Sequence, residues 1–358
     1  MASNASPLHV AVCGAGAFGR NHLRVYRELE QAGHAVKLAA ILESDATRAA
    51  DLREEWRVPV YSSVDEALAA RRRNEIRIDA ASVCVPTSAH HAVAAPLLRA
   101  GSFEKSDSAS GGSGSACGSG IDLLIEKPIA ASLAEADDLI AIAQQHGRII
   151  QTGHLERFNP AILAVQPLLN RPMFFEAHRL SIFTPRALDV DVVLDLMIHD
   201  LDIVLSFAQS PVRDIRAVGL PILSNKTDIA NVRLEFDSGC VANFTASRAS
   251  TEQVRKLRFF QPHQYISIDY ARKDILVIDV NAKDGASAPA LPAGLAFNKP
   301  QVQAAEPLRL EIESFVESVR TREKPKVSAE DGRAALALAL EINRTIAEHA
   351  RRTGLDQF

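Results

Sequence analysis

The sequence lacks a long apolar run, a basic leader and a strong excess of charge. No window approaches the roughly 18 consecutive apolar residues that a membrane-spanning helix needs. The first residues carry no basic segment of the kind that opens a secretory signal peptide. A formal net charge of −4 gives no general attraction to nucleic acid or to an anionic membrane. We therefore expect no membrane span, no signal peptide and no nucleic-acid partner.

Cysteine is also scarce, with four residues in 358 and no CxxC pair. Cys13 and Cys84 lie in apolar, strand-like segments, which favours buried free thiols. These features predict a cytoplasmic protein. The length allows two domains, each with its own core.

The first part of the chain alternates apolar strands with helical segments. The strands are LHVAVCG, VKLAAILE, IDAASVCVPT, IDLLIEKP and RIIQTGH. Such a pattern is typical of a parallel sheet covered on both faces. We predict a dinucleotide-binding domain over 1–153. Residues 102–119 are rich in Ser and Gly, and we interpret them as a flexible surface insertion.

The pattern changes after Gly153 to consecutive strands with short turns, followed by two terminal helices. It predicts a large, open, mainly antiparallel sheet packed on helices, within an α/β domain over 154–358 that binds substrate. A Pro- and Ala-rich stretch, 286–307, is expected to be a loop. Because a broad sheet with an uncovered face usually needs a partner, we expect a homodimer or homotetramer.

Gly14, Gly16 and Gly19 form a GxGxxG motif directly after the first strand and at the start of a helix. Glycine permits the tight turn and lets the backbone approach a pyrophosphate at the helix N-terminus. Glu43 closes the second strand, where a carboxylate accepts hydrogen bonds from the adenosine ribose. This arrangement predicts NAD. Arg48 leaves NADP as a weaker alternative, because it could approach a 2′-phosphate.

Lys127 follows another apolar strand, at the sheet edge where ligands bind. An ammonium group there can donate to a substrate hydroxyl and stabilise negative charge on its oxygen. On the sequence alone, an ordinary surface lysine is an equal alternative.

The segment LDLMIHDLD, 194–202, is apolar yet carries several ionisable residues. Asp195 and His199 are spaced i, i+4 and share a helix face, which Asp202 continues. Histidine suits removal of an alcohol proton, and a carboxylate can orient it. Two alternatives are a metal site made by these three residues and a buried helix whose His and Asp satisfy each other. Hydride transfer needs no metal, so we expect none.

Together these motifs resemble the glucose–fructose oxidoreductase/inositol dehydrogenase (Gfo/Idh/MocA) family over nearly the whole chain. The resemblance rests on AVCGAGAFGRNHLRVY, VCVPTSAHHAV, IEKP and DLMIHDLD. It implies a Rossmann domain followed by an α/β domain with a large open sheet. It further implies that Lys127, Asp195 and His199 are catalytic, and that Thr87 and Glu126 contact the cofactor. His199 would be the general base and Lys127 the polarising group, although the two could exchange roles.

A narrower resemblance, carried by GHLERFNPAI and SRASTEQVRKLRFF, is to the UDP-N-acetylglucosamine 3-dehydrogenases. It implies oxidation of a sugar secondary hydroxyl to a ketone, on a nucleotide-sugar route such as lipid A synthesis. An inositol or free hexose is the alternative substrate, and a non-catalytic NAD-binding sensor is the alternative of another class.

The expected site residues form two groups. The cofactor contacts are Gly14, Gly16, Ala17, Phe18, Gly19, Glu43, Arg48, Pro86, Thr87, His91, Glu126 and Lys127. The substrate contacts are His154, Arg157, Asn159, Arg179, Arg186 and Tyr265. For two of these residues a structural role is the alternative to substrate binding: Arg157 as a domain-interface arginine and Tyr265 as an aromatic residue on a strand face.

Overall fold

The computed structural model describes residues 6–101, 120–183, 190–280 and 295–355. Two compact units divide the chain: residues 1–153 with 308–333, and residues 154–307 with 334–358. Within the described ranges, no helix combines the length and the apolar character needed to cross a membrane.

The first unit is an alternating α/β unit built on a six-stranded sheet. Its strands are β1 Leu8–Cys13, β2 Val36–Leu42, β3 Val60–Tyr61, β4 Ala80–Val83, β5 Asp122–Glu126 and β6 Ile150–Gly153. The helices between them are α1 Ala17–Gln31, α2 Ala46–Trp56, α3 Val64–Arg72, α4 His90–Arg99 and α5 Leu133–His146.

All pairings in this sheet are parallel, and the strand order is β3-β2-β1-β4-β5-β6. The order reverses between β1 and β4, which makes that edge a topological switch point and the place where such sheets bind ligands. Local signals set the helix starts, because Ser63 and Ser132 each accept a hydrogen bond from the backbone N–H three residues on. The predicted parallel sheet is confirmed.

The first unit also takes in residues 308–333, which the sequence pattern had assigned to the second domain. The edge strand β6 holds this segment. Thr152 N donates to Val327 O at 2.9 Å, and its hydroxyl donates to Ser328 O at 3.1 Å. Gly332 fits here because a Cβ on it would lie 2.4 Å from Thr152 Oγ1. A late segment therefore completes the early sheet.

The second unit is built on an eight-stranded sheet. Its strands are β7 Phe174–Ile182, β8 Val212–Leu220, β9 Ile229–Phe236, β10 Val241–Ser250, β11 Val254–Gln261, β12 Gln264–Asp269, β13 Asp274–Val280 and β14 Leu295–Asn298. Among the described residues, the remaining α- and π-helices are α6 Pro160–Val165, the π-helix Val193–Met197, α7 Ile198–Ala208, α8 Pro307–Thr321 and α9 Ala329–Thr353.

The sheet order is β14-β13-β12-β11-β7-β10-β9-β8, antiparallel except for the β7–β10 pair. Along β9 the residues alternate, with Val232 and Leu234 buried in the core. The mainly antiparallel sheet is confirmed. β14 is a difference, since it lies inside the stretch expected to be a loop. It adds to the free edge of β13, and four residues are too few to show an alternation.

Candidate active site

The glycine motif forms the turn between β1 and α1, and each glycine serves a different purpose. Gly14 has φ +86°, a conformation that favours glycine. At Gly19 a Cβ would lie 1.9 Å from Gly14 O, so only glycine lets the helix approach the turn. At Gly16 a Cβ would meet no described atom within 4 Å. The open side of Gly16 is the place where a pyrophosphate would approach the N-terminus of α1.

Glu43 lies at the end of β2 and is buried by this turn. Its carboxylate accepts hydrogen bonds from Ala15 N and Asp45 N, both at 3.0 Å. Arg48 Nη1 donates to the same carboxylate at 3.2 Å. Glu43 is therefore held rigidly at the end of β2, and the guanidinium of Arg48 is engaged with it. This arrangement suits an unphosphorylated ribose.

A cavity of about 590 Å³ opens in front of these residues. Gly16, Phe18, Glu43, Arg48 and Pro86 are among its lining residues. It combines a glycine cradle, a helix N-terminus and a carboxylate, which are the groups that bind a pyrophosphate and a ribose. The residues present therefore fit NAD.

Other expected cofactor contacts are placed differently around the cavity. Gly14 and Ala17 line it. Thr87 opens a 3-10 turn, Thr87–Ala89, and is half-buried. His91 is turned toward α5, where its Nε2 lies 2.7 Å from Asp138 Oδ2. That contact engages the imidazole of His91 on the side of α4 that faces α5.

The residues on either side of Lys127 are each held by a histidine. The buried His22 of α1 places Nε2 3.0 Å from Glu126 Oε1. The buried His90 of α4 places Nδ1 2.9 Å from Pro128 O. The Lys127–Pro128 peptide bond is cis. Both histidines fix the chain that presents Lys127 at the end of β5.

His90 has a second contact, from Nε2 to Val85 O at 2.9 Å. Burial lowers the pKa of His90, so the ring is neutral at physiological pH. A neutral imidazole donates through one nitrogen only, and it therefore bonds one of the two carbonyls at a time. Either way the ring links the end of β4 to the Lys127 segment.

Metal binding is the other chemistry that this part of the first unit suggests. Potential ligand atoms of His22, Cys84 and Glu126 lie within 4.8 Å of one another. A cysteine binds metal as its thiolate, and burial raises the pKa of Cys84 well above its ordinary value. The His22 nitrogen also already bonds Glu126. We interpret the group as a hydrogen-bonded pair beside a neutral thiol.

The ionisable residues of the apolar helical segment, 194–202, differ in how far they are exposed. Asp195 lies on the π-helix and His199 on α7, and both are partly exposed. Asp200 and Asp202 are buried. π-turns within helices occur frequently at functional sites. Asp195 and His199 are thus the pair that solvent or a ligand can reach.

The two buried aspartates are paired with arginines. Arg157 donates to Asp202 through two nitrogens, at 2.6 and 2.9 Å. Arg179 donates to Asp200 in the same way, at 2.7 and 2.9 Å, and also to Glu156 at 3.1 Å. These two-pronged contacts engage the guanidinium groups that were expected to bind substrate. They favour a structural role for both arginines.

The other expected substrate contacts are dispersed. His154 is buried, with Nδ1 4.0 Å from Asp202 Oδ2. Asn159 caps α6 by accepting from Ala161 N at 3.1 Å. Tyr265 lies on the face of the second sheet that the described residues leave uncovered, with its ring centroid 5.0 Å from that of Phe260. Arg186 lies outside the described residues, as does the insertion at 102–119.

Comparison with known proteins identifies the family. The model of the oxidoreductase family with an NAD-binding Rossmann fold matches residues 8–103 and 115–154. The model of the GFO/IDH/MocA C-terminal domain matches residues 168–261. The chain belongs to the Gfo/Idh/MocA oxidoreductase family. Residues 104–114, within the Ser- and Gly-rich stretch, fall outside both matches.

Similarity to individual members extends over nearly the whole chain. UDP-N-acetylglucosamine 3-dehydrogenase of Acidithiobacillus ferrooxidans is 32% identical over 96% of this chain and 99% of its own. A solved structure of that protein has a TM-score of 0.81 and covers 96% of this chain and 98% of its own. Myo-inositol 2-dehydrogenase of Thermotoga maritima is 22% identical over 95% of this chain and 97% of its own. Levoglucosan dehydrogenase, solved with NADH, shares the fold with a TM-score of 0.79 at 15% identity and 96% and 98% coverage.

Membership of this family confirms the expected Rossmann fold, the NAD cofactor and the oxidoreductase class. Sequence reasoning did not find the contacts of His22 and His90. Both histidines lie in motif segments quoted above, but their partners lie 104 and 38 residues away in the chain. Such pairs become visible only when the fold joins the helices to the end of β5.

Proposed function

We propose that this protein oxidises the 3-hydroxyl of UDP-N-acetylglucosamine to a ketone. The observation that carries the proposal is the 32% identity, over nearly the full length of both chains, to a UDP-N-acetylglucosamine 3-dehydrogenase. A cytoplasmic location fits a nucleotide-sugar substrate. The 22% identity to a myo-inositol dehydrogenase supports an inositol or free hexose as the second candidate.

The proposed chemistry assigns one role to each of three residues. NAD supplies the hydride acceptor when bound. His199 removes the hydroxyl proton, because an imidazole titrates near the working pH. Lys127 donates to the same oxygen and stabilises its developing negative charge. Asp195 orients the imidazole and stabilises its protonated form.

The substrate is tested by mixing the protein with NAD and a panel of sugars. We expect the absorbance of reduced nicotinamide to rise with UDP-N-acetylglucosamine and not with myo-inositol or free glucose. Reduction of the product with borodeuteride should place deuterium at C3, as read by NMR. Turnover of inositol alone would transfer the proposal to the second candidate. NAD binding without turnover of any sugar would identify a sensor instead.

The site is tested by Lys127→Ala and His199→Ala. General acid–base and electrostatic groups each contribute at least about 100-fold to the rate, so we expect kcat to fall by that factor or more. The dissociation constant of NAD should change little. Lys226→Met, at an exposed turn, is the matched control and should keep full activity. Full activity in both active-site variants would refute the assignment.

We also propose that the protein is a homo-oligomer. An apolar row crosses the uncovered face of the second sheet, made by side chains that pair directly from strand to strand: Phe174, Phe260, Tyr265, Ile278 and Phe297. Phe260 is 37% exposed and Phe297 is 47% exposed. Contiguous exposed apolar surface of this kind marks a contact with another protein. A second copy would cover it symmetrically.

A further inference from the structure

Glu311 is a buried carboxyl group that the proposed mechanism does not use. It lies on α8 with no exposed surface. The backbone fixes its position, because Gln151 Nε2 donates to Glu311 O at 3.0 Å. Neither of its carboxyl oxygens has a hydrogen-bond partner among the described residues. An ionised carboxylate in this setting would be strongly unfavourable, because nothing there replaces its hydration.

Three ionisable side chains of the first unit interact with Glu311. The Glu126 carboxylate, bound to His22, acts on it electrostatically. Tyr26 on α1 and Cys84 beyond β4 also interact with it, and burial raises the pKa of each, which keeps both neutral. Burial first, and the Glu126 charge second, raise the pKa of Glu311 well above its ordinary value.

We propose that Glu311 is a positioning residue that stays protonated, so that no charge on it disturbs the Glu126–His22 contact that fixes the end of β5 carrying Lys127. The inference deepens the proposed function, because it rests on Lys127 as a catalytic residue. It gives the segment 308–333 a purpose in the first unit: α8 supplies the fourth member of a buried group formed by α1, β4 and β5.

A charge on Glu311 would disturb this arrangement because it would lie close to the carboxylate of Glu126. Two ionised carboxylates in one buried group repel each other, and their repulsion would act directly on the Glu126–His22 contact. Lys127 is the next residue after Glu126, so a shift of that carboxylate moves the backbone that presents the amine. Loss of the Glu311 proton at alkaline pH should therefore lower kcat before it weakens NAD binding.

The same proton gives a signature in stability. A carboxyl whose pKa is raised on folding contributes full stability below its unfolded pKa of about 4.3 and loses it as the pH rises toward the folded value. The unfolding constant of the native protein, relative to a variant without the carboxyl, should therefore increase by up to about tenfold per pH unit across that window. Below about pH 4 the unfolding constants of the two proteins should no longer differ in their pH dependence, because the carboxyl is protonated in both the folded and the unfolded state.

The first experiment compares urea unfolding of the native protein, Glu311→Gln and Glu313→Gln between pH 4 and pH 9. Gln has the shape of a protonated Glu and cannot ionise. We expect Glu311→Gln to remove the alkaline loss of stability. Glu313, on the same helix, is partly exposed and pairs with Arg309 at 2.9 Å, so its variant should follow the native curve. An unchanged pH dependence in Glu311→Gln would overturn the proposal.

The second experiment compares kcat and KM for Glu311→Gln and Glu311→Ala. We expect Gln to keep kcat within about threefold of native at pH 7 and to extend activity to higher pH. Ala should lower kcat more than tenfold with little change in the NADH dissociation constant. Equal loss in both variants would mean that an ionised carboxylate is needed, which refutes the proposal.

Infrared difference spectra give a readout that needs no activity. The carbonyl stretch of a protonated carboxylic acid should be present in the native protein at pH 7 and absent in Glu311→Gln. Its absence from the native protein would also refute the proposal. The stability and infrared results do not depend on the substrate. They therefore distinguish a failure of the Glu311 proposal from a failure of the proposed function.

Discussion

At the scale of single residues, the acidic groups of the apolar helical segment differ by what they face. Asp200 and Asp202 are buried and bonded to arginines, whereas Asp195 and His199 remain partly exposed. Ionisable groups on an apolar helix are rarely buried unless they are paired. The structure shows that two of them pair. Which two could not be predicted, because Arg157 lies 45 residues from Asp202 in the chain.

Breaking one of these pairs should affect folding more than substrate binding. Arg157→Met leaves the Asp202 carboxylate buried without its main partner, and we expect a loss of about 3–5 kcal/mol in the free energy of unfolding. The double variant Arg157→Met/Asp202→Leu should recover most of it, because an apolar pair replaces the ion pair. Urea denaturation of the two variants and of Asp202→Leu completes the cycle.

Arg213→Met, at an exposed position in β8, is the control for this cycle and should leave stability within about 0.5 kcal/mol of native. If Arg157→Met instead keeps native stability and raises only KM, then Arg157 contacts substrate, as the sequence analysis first expected.

At the scale of elements, the predictions that held best came from motifs whose residues are close in sequence and serve the same structural function. The β1–α1 turn was predicted in full, because all three glycines and the preceding strand lie within a dozen residues. The support of Lys127 was not, because α1 and α4 each contribute one side chain from a distant part of the sequence. Local chemistry is visible in a sequence; long-range pairing requires the fold.

The α1 turn allows a prediction that separates binding from folding. Gly16→Ala places its methyl group in open space, so stability should change by less than about 1 kcal/mol. The methyl group occupies the pyrophosphate approach, and we expect NADH to bind at least about tenfold more weakly, a cost of ~1.4 kcal/mol. Fluorescence titration with NADH measures the second effect.

Gly19→Ala is the matched variant on the same helix. Its methyl group would lie 1.9 Å from Gly14 O, a backbone atom that cannot move away cheaply. We expect about 3 kcal/mol of lost stability, the upper end of overpacking costs. Equal stability of the two alanine variants would show that the helix does not need this close approach.

At the scale of the whole molecule, the early and late parts of the sequence are interleaved. The sequence pattern placed a single domain boundary after Gly153. The structure also divides the chain after Gly153, and it adds two further boundaries, after Pro307 and after Arg333. The return of 308–333 to the first unit left no local signal, since an amphipathic helix such as α8 shows that it packs but not against what. The hydrogen bonds from the edge strand β6 to Val327 and Ser328 are what attach this segment to the first unit.

The uncovered face of the second sheet provides the test of assembly. Phe260 lies within the apolar row, between Phe174 on one side and Tyr265 on the other. Phe260→Glu should place a charge where a second copy would pack, and burial of an unpaired charge is costly. We expect sedimentation velocity to show a native dimer or tetramer and a Phe260→Glu variant shifted to smaller species. Asn231→Glu adds the same charge at an exposed position on β9, away from the row, and should leave the assembly intact. A native monomer, or an unchanged assembly in Phe260→Glu, would mean that the row does not join copies of this chain.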